Sequence, residues 1–175
     1  MLWALLVTMN THPGEIPLYW GFYIGDEDYK RKRYCLICNA FKPERSHHCS
    51  VCNTCVLNMD HHCPWVDNCI GFYNRKYFMQ LLFYLCCLTI YIDISVGYDV
   101  FLMINALIRQ RFQYSLHLQY AAVIIAYGIN LTLSILITMF FKFHLKLVLY
   151  NSTTIESLDK DHVSEYKKVS VSNLV

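Results

Sequence analysis

Between Cys35 and Cys69 the chain carries seven of its nine cysteines, interleaved with His47, His48, His61 and His62. Spacing sorts these candidates. Cys35, Cys38, His48 and Cys55 stand at offsets 0, 3, 13 and 20, and Cys49, Cys52, His62 and Cys69 repeat those offsets fourteen residues later. Each set opens with a C-x-x-C knuckle, whose tight turn lets both thiolates face one ion. Each also supplies the three sulfurs and one nitrogen of a closed tetrahedral zinc site. Because the sets alternate along the chain, each ion pins the loop of the other. Residues 35–76 hold few aliphatics, so this segment cannot bury much core without metal. The expectation is a small, loop-rich domain organised by two structural Zn2+ ions. Thiols used this way suit a reducing compartment better than a secreted disulfide framework.

Three potentially reactive side chains fall outside the two sets: His47, His61 and Cys63. The repeat aligns Ser46-His47-His48-Cys49 with Asp60-His61-His62-Cys63. In the first copy the cysteine is followed by Cys52 and becomes a ligand. In the second, Pro64, Trp65 and Val66 follow, so Cys63 has no knuckle partner. Two readings of Cys63 stand side by side, a catalytic thiol and a spare ligand. For the first, Asp60 supplies an orienter, His61 a base and Cys63 a nucleophile. Zinc charge on His62 and a partly cationic His61 would both favour the thiolate.

The rest of the chain is apolar. It has 55% hydrophobic and only 16% charged residues, and Lys+Arg 15 against Asp+Glu 13 leaves a net charge of +2. Such a balance excludes a nucleic-acid binder that works by net positive field. Residues 78–108 contain only Asp93 and Asp99 as charges, and 118–141 contain none. Each is long enough for a membrane helix, which needs about 20 residues. Their linker, 109–117, is short, so an antiparallel hairpin is expected. Asp93 should face the bundle or the far interface rather than lipid. Cys86 and Cys87 read as small helix residues, with peripheral acylation as the sharper alternative. The nine-residue stub 1–9 is too short to span and has no basic leader or cleavage site, so it reads as a helix remnant. Residues 10–34 form a connector with His12-Pro13-Gly14, an acidic patch Asp26-Glu27-Asp28 and a basic run from Lys30 to Arg33. Arg75, Lys76, Lys142 and Lys146 on one side against Arg109 and Arg111 on the other put cluster and tail in the cytoplasm. The sequon Asn151-Ser152-Thr153 then lies on the side where glycosylation does not occur.

Asp60-His61-His62-Cys63-Pro64-Trp65, set inside this spacing, resembles the cysteine-rich domain of the DHHC protein S-acyltransferases, commonly called palmitoyltransferases. The likeness continues through Asn68-Cys69-Ile70-Gly71 and Asn74 to Thr153-Thr154-Ile155-Glu156, covering residues 12 to 156. It implies that Cys63 takes a long acyl chain from an acyl-CoA such as palmitoyl-CoA. The chain then passes in a ping-pong reaction to an accessible cysteine of a membrane-associated protein. It also implies His61 as base, Asp60 behind it, the same two zinc ligand sets, and Thr154 bracing Asp60 from the tail. Lys42, Arg45, Arg75 and Lys76 are the nearest cations for CoA phosphates, with headgroup contact or snorkelling as the competing role.

The expected architecture is therefore a mostly α integral membrane protein with two full transmembrane helices, a truncated N-terminal remnant, the two-zinc catalytic domain 35–76 and a cytoplasmic tail 142–175. Its setting is the lipid bilayer of an endomembrane such as Golgi or ER, or of the plasma membrane. The family usually has four helices, so the chain reads as shortened, beginning late in the second. It has His12-Pro13-Gly14 where the family usually has Asp-Pro-Gly, and nothing after Glu156 matches the family's aromatic-and-asparagine tail motif. Two other function classes stand against the enzyme. A membrane-anchored zinc module such as a ubiquitin-ligase adaptor would need a closing C-x-x-C pair, and a scaffold of active acyltransferases would not need the Asp60-His61-Cys63 trio.

Overall fold

The computed structural model describes residues 1–17, 20–21, 33–109 and 114–159, without the side chains of 114–118. The acidic patch at Asp26, most of the basic run at Lys30, Arg111 in the interhelical linker and the tail beyond residue 159 lie outside the described residues. The described chain forms two compact units. One comprises residues 1–81 with the chain from His144 onward, and the other residues 82–143.

In the first unit, helix α1 (Leu2–Asn10) precedes three two-stranded antiparallel hairpins: β1 (Tyr34–Cys35) with β2 (Ala40–Phe41), β3 (His47–Cys49) with β4 (Thr54–Val56), and β5 (His61–Cys63) with β6 (Asn68–Ile70). The fourteen-residue period is thus threefold. Cys35, Cys49 and Cys63 end the outgoing strands, opposite Ala40, Thr54 and Asn68. The last turn residue before each return strand is left-handed, Asn39 at φ 55°, Asn53 at φ 53° and Asp67 at φ 47°. Asn and Asp tolerate that region because their short polar side chains bond locally, so these residues close four-residue turns at little cost.

What apolar core exists is small: Cys49, Val56, Met59 and Cys69, with Ile155 of the C-terminal segment against them. Two of those four are also members of a Cys/His set, so packing alone leaves the unit thin. Pro13 and Gly14 strap the outside, their carbonyls accepting from Tyr73 N (3.2 Å) and Leu57 N (3.1 Å). Gly71 is required at the crossing, since a Cβ there would stand 2.6 Å from Val56 Cγ1 and 2.7 Å from the Pro13 carbonyl oxygen. Asn68 and Asn74 finish α1. The Asn68 amide donates to the carbonyls of Thr8, Met9 and Thr11 at 3.0–3.2 Å. Asn74 reaches the Thr8 and Thr11 carbonyls at 3.5 Å, donates to Cys69 O at 2.8 Å and accepts from Gly71 N at 2.9 Å. A helix end leaves carbonyls without intrahelical partners, and these amides supply them.

Two long helices follow, α2 (Arg75–Ile108, 34 residues) and α3 (Tyr114–Leu149, 36 residues). Both run past the apolar stretches expected from sequence, because Arg75, Lys142 and Lys146 are good helix formers and extend each helix into polar surroundings. Residues Arg75–Ile108 and Gln119–Leu149 are long and apolar enough to cross a membrane, and little of either apolar stretch is buried against protein. Side chains such as Ile94, Phe101, Ile129 and Met139 stay exposed, as lipid-facing residues would. Within the second unit Asp93 is turned toward α3. Its Oδ1 accepts from Asn130 Nδ2 at 2.7 Å and its carbonyl from Tyr127 OH at 3.2 Å, while Asn130 also reaches Thr89 O at 3.3 Å. This polar node and the ring contact of Phe83 with Phe141 pair the helices antiparallel.

The first unit ends in a five-residue helix α4 (Thr154–Leu158) held by a capping box: Thr153 Oγ1 accepts from Glu156 N, and Glu156 accepts from Thr153 N at 2.8 Å.

Candidate active site

The three hairpins build two Cys/His clusters between them. In one, His48 Nδ1 lies 3.2, 3.7 and 3.8 Å from the sulfurs of Cys38, Cys35 and Cys55. In the other, His62 Nδ1 lies 3.4 and 3.6 Å from Cys52 and Cys69, whose sulfurs are 3.5 Å apart, and Cys49 completes the group. Tetrahedral zinc with Zn–S about 2.3 Å and Zn–N about 2.0 Å sets neighbouring ligand atoms about 3.5–3.8 Å apart. The donor sets fit such an ion. Both groups mix residues from two hairpins, so a metal in each would cross-link them.

The third hairpin has the same backbone and a different fate. Val66 stands where Cys38 and Cys52 stand in the other two. The N–H groups of Trp65 and Val66 nevertheless aim at Cys63 sulfur, as those of Ile37 and Cys38 aim at Cys35 and those of Val51 and Cys52 at Cys49. A turn that stabilises a metal thiolate therefore stabilises a thiolate without metal. Cys63 is only 5% exposed, whereas the adjoining Trp65 is 91% exposed.

His61, on the same strand, hydrogen-bonds Cys63, and its Nδ1 lies 2.7 Å from Asp60 Oδ2. An ionised carboxylate only accepts, so Nδ1 carries the hydrogen and Nε2 is directed to the thiol. Asp60 is fully buried. Its Oδ1 also accepts from Thr154 N (3.1 Å) and its Oδ2 from Thr154 Oγ1 (2.8 Å), and Arg75 Nη2 stands 3.4 Å from Oδ1. Burial alone would raise the Asp60 pKa, but the bonds from His61 and Thr154 and the Arg75 charge outweigh it and hold it below its ordinary value. Burial likewise opposes a charged His61, yet Asp60 and Cys63 push its pKa up to about 9. Burial opposes the Cys63 thiolate too, and the His61 bond with the Trp65 and Val66 N–H groups brings its pKa below the ordinary thiol value. Both shifts run in the direction that favours charge separation, an imidazolium beside a thiolate backed by a carboxylate.

Two side chains that the sequence did not single out complete the surroundings. Phe78 on α2 and His144 near the end of α3, both buried, form a triangle of rings with His61, their centroids 5.3–5.5 Å apart. They fix the plane of the imidazole that Asp60 holds by one nitrogen. A histidine between Lys142 and Lys146, just past the apolar stretch of α3, was the available signal. His47 occupies in β3 the place His61 has in β5, but Ser46 replaces the carboxylate and the following Cys49 belongs to a Cys/His set.

Arg45 and Arg75, expected near CoA phosphates, each make contacts within the protein. Arg45 makes a two-point contact with Glu156 (Nε–Oε1 2.6 Å, Nη2–Oε2 2.9 Å) and reaches the Asn151 carbonyl at 2.8 Å. Arg75 reaches Ser152 O at 2.5 Å as well as Asp60. A guanidinium fork matches a carboxylate in two parallel bonds, which is why these arginines tie the C-terminal segment down. Lys76 Nζ lies 4.8 Å above the Tyr77 ring. The backbone N–H of Lys42 donates to Arg33 O at 2.6 Å.

The described residues thus combine a thiol beside a buried His–Asp pair, two Cys3His clusters and two helices long and apolar enough to cross a membrane. Residues 28–161 match the DHHC palmitoyltransferase family. Probable protein S-acyltransferase 13 of Arabidopsis thaliana is 34% identical over 94% of this chain and 59% of its own length. Probable protein S-acyltransferase 15 of the same plant is 32% identical over 93% of the chain and 64% of its own length. Palmitoyltransferase PFA4 of Mycosarcoma maydis is 41% identical over 77% of the chain and 27% of its own length. The chain belongs to the DHHC palmitoyltransferase family. It spans less than two thirds of the length of these relatives.

Proposed function

We propose that the protein is an integral-membrane protein S-palmitoyltransferase working through an acyl-enzyme on Cys63. The observation that carries this is the third hairpin, a knuckle turn with its own thiolate donors, no second cysteine and a His–Asp pair alongside. The Cys63 thiolate attacks the carbonyl carbon of a long-chain acyl-CoA. The Cys63 S–C bond forms, the CoA S–C bond breaks, and the leaving CoA thiolate takes the proton held on His61. In the second half the thiol of a membrane-associated protein gives its proton to His61 and its sulfur attacks the thioester carbonyl; the new S–C bond forms, the Cys63 S–C bond breaks, and Cys63 leaves as the thiolate beside the His61 imidazolium. The two thioesters are close in energy, so the site needs positioning and an activated thiol more than driving force. Asp60 keeps one ring nitrogen protonated and the other facing sulfur, and Thr154 with Arg75 holds Asp60.

Cys35, Cys38, His48 and Cys55, and Cys49, Cys52, His62 and Cys69, are the proposed ligands of two structural zinc ions. Zinc there would supply cross-links that a core this small lacks. Lys42 and Lys76 are the cations proposed for CoA phosphates. The bilayer supplies the acyl tail's environment, since burying it is worth about 0.8 kcal/mol per CH2. Exposed Trp65 suits the interface beside the nucleophile. A cytoplasmic orientation follows from the lysines and arginines beside Arg75 and Lys142 and from the thiol-rich clusters.

Incubation of purified protein with labelled palmitoyl-CoA tests the reading. A hydroxylamine-sensitive adduct is expected on wild type and not on Cys63→Ala, and its absence from both would remove the enzyme reading in favour of a zinc interaction module or scaffold. Metal analysis should give two zinc ions per chain.

A further inference from the structure

The side chains around Asp60 contain a second pattern that acyl transfer does not use. Asp60, His61 and His144 each offer one metal-ligand atom, and the three atoms lie within 4.8 Å of one another. Both imidazoles address the same carboxylate oxygen through the same ring atom: Nδ1 of His61 is 2.7 Å and Nδ1 of His144 3.7 Å from Asp60 Oδ2. Tetrahedral coordination with M–N and M–O of about 2.0–2.1 Å separates neighbouring ligand atoms by about 3.3 Å. The two observed distances bracket that value, and the two ring nitrogens lie within 4.8 Å of each other, so closing the site takes shifts of about an ångström or less. The opposing cation, Arg75, faces the other oxygen, Oδ1, where the Thr154 N–H also sits, while the Thr154 hydroxyl donates to Oδ2 at 2.8 Å and leaves that oxygen a second lone pair for a metal. Asp60 and His144 are 0% and 2% exposed. Ligands already buried and ordered lose little freedom on capturing an ion.

We propose that Asp60, His61 and His144 form a third divalent-metal site, which zinc enters when in excess. Its ligand set is two imidazoles and one carboxylate with a fourth position open. That set suits zinc or cobalt(II). It differs in kind from the thiolate clusters, which are closed. Binding exchanges the His61–Asp60 N–H···O bond for three bonds to metal, from Asp60, His61 and His144. The hydrogen on Nδ1 of the imidazolium leaves as a proton to solvent, metal–nitrogen and metal–oxygen bonds form, and no electron changes hands. The ring then keeps its hydrogen on Nε2, the nitrogen that faces Cys63, and cannot accept a proton from an incoming thiol. Metal binding stands on the geometry alone, while the inhibition that follows from it rests on the proposed role of His61.

The site is tested on the full-length protein with both thiolate clusters loaded with zinc. Added cobalt(II) should bind to one further equivalent, with the visible bands of a tetrahedral nitrogen–oxygen site and without the near-ultraviolet bands of cobalt–thiolate bonds. Excess zinc should displace it. His144→Phe keeps a ring against Phe78 and His61 but has no donor, and Asp60→Asn removes the anionic ligand. Both should keep two zinc ions and bind cobalt at least about tenfold more weakly. Unchanged cobalt binding in both variants, or thiolate bands in wild type, overturns the site. In the acylation assay zinc should inhibit wild type at a concentration at least about tenfold below that needed for His144→Phe, each measured against its own uninhibited rate. Cobalt bound at this site with no zinc inhibition overturns the regulatory consequence. An enzyme that forms no adduct even without added metal overturns the acyltransferase reading, and the cobalt spectrum still decides the site.

Discussion

The second and third hairpins have one backbone and two chemistries. In β3–β4 the knuckle cysteine Cys49 has Cys52 three residues on and His48 before it, and all three belong to Cys/His sets. In β5–β6 the same turn carries Cys63, Val66 and His62, and only His62 belongs to such a set. Exchanging Ser for Asp60 and Cys for Val66 turns a metal knuckle into a thiolate with a base and an orienter. The turn's N–H groups stabilise negative sulfur in both settings, so the step from ligand to nucleophile needs no new backbone.

The largest effect expected from this contrast is in the cysteines themselves. Cys63→Ala should lower acyl-adduct formation by about a thousandfold or more while leaving two zinc ions and the thermal transition intact. Cys49→Ala should instead lose one zinc ion and the cooperative transition, read by metal analysis and calorimetry. If both variants lose metal, the two hairpins are not distinct in role.

Next come Asp60→Asn and His61→Gln, each expected to cost about 100-fold to 10,000-fold in adduct formation. The Cys63 pair also predicts a pH signature. The His61 pKa is pushed up to about 9, so its imidazolium persists through neutral pH and its support for the Cys63 thiolate is lost as pH rises through that value. Cys63 should react with iodoacetamide at pH values where an ordinary thiol is largely protonated, and His61→Gln should move the alkylation profile upward. An unmoved profile would mean that the turn N–H groups alone hold the thiolate.

Smaller effects test the clamp on the third hairpin. Thr154→Val removes one of its two bonds to Asp60 and should cost about 1 kcal/mol, or about fivefold in rate. Glu156→Gln loses the two-point charge pairing with Arg45 and should destabilise by a similar amount, about 1 kcal/mol. Burial would raise the Glu156 pKa, but Arg45 and the Thr153 N–H hold it below the ordinary 4.5. Its folded pKa lies below its unfolded one, so its stabilisation is complete above about pH 4.5 and fades as pH falls through the depressed value. The stability difference between wild type and Glu156→Gln should therefore shrink in acid, and a difference that grows would reverse the assignment.

Much of the site is visible in the residues. The offsets of Cys35 to Cys69 separate two repeated sets from Cys63 by counting, because a tetrahedral ion needs four donors at chain distances a tight turn can bridge. Helices α2 and α3 follow from apolar length. The third hairpin was half visible: the aligned quartets at Ser46 and Asp60 suggest it, but Pro64-Trp65-Val66 hides the shared turn that the left-handed Asp67 reveals. The protein partners of Arg45 and Arg75 were not visible, because cations near a cluster look alike in sequence whether they meet phosphate or a buried carboxylate. Only the fold brings Glu156 and Asp60 to them, across separations of 111 and 15 residues.

Ligand spacing, the unpaired Cys63, the neighbouring Asp60 and His61, and two membrane-length helices are local properties, set by bonds and short turns, and so the sequence alone determines them. Tertiary structure decided what surrounds the His–Asp pair. Thr154, 94 residues away, reaches Asp60, and Phe78 and His144 close on the His61 ring. These contacts join segments far apart in the chain. Their partners are chosen by which surfaces pack together after the hairpins and helices have formed, and no pattern of spacing along the chain encodes that choice.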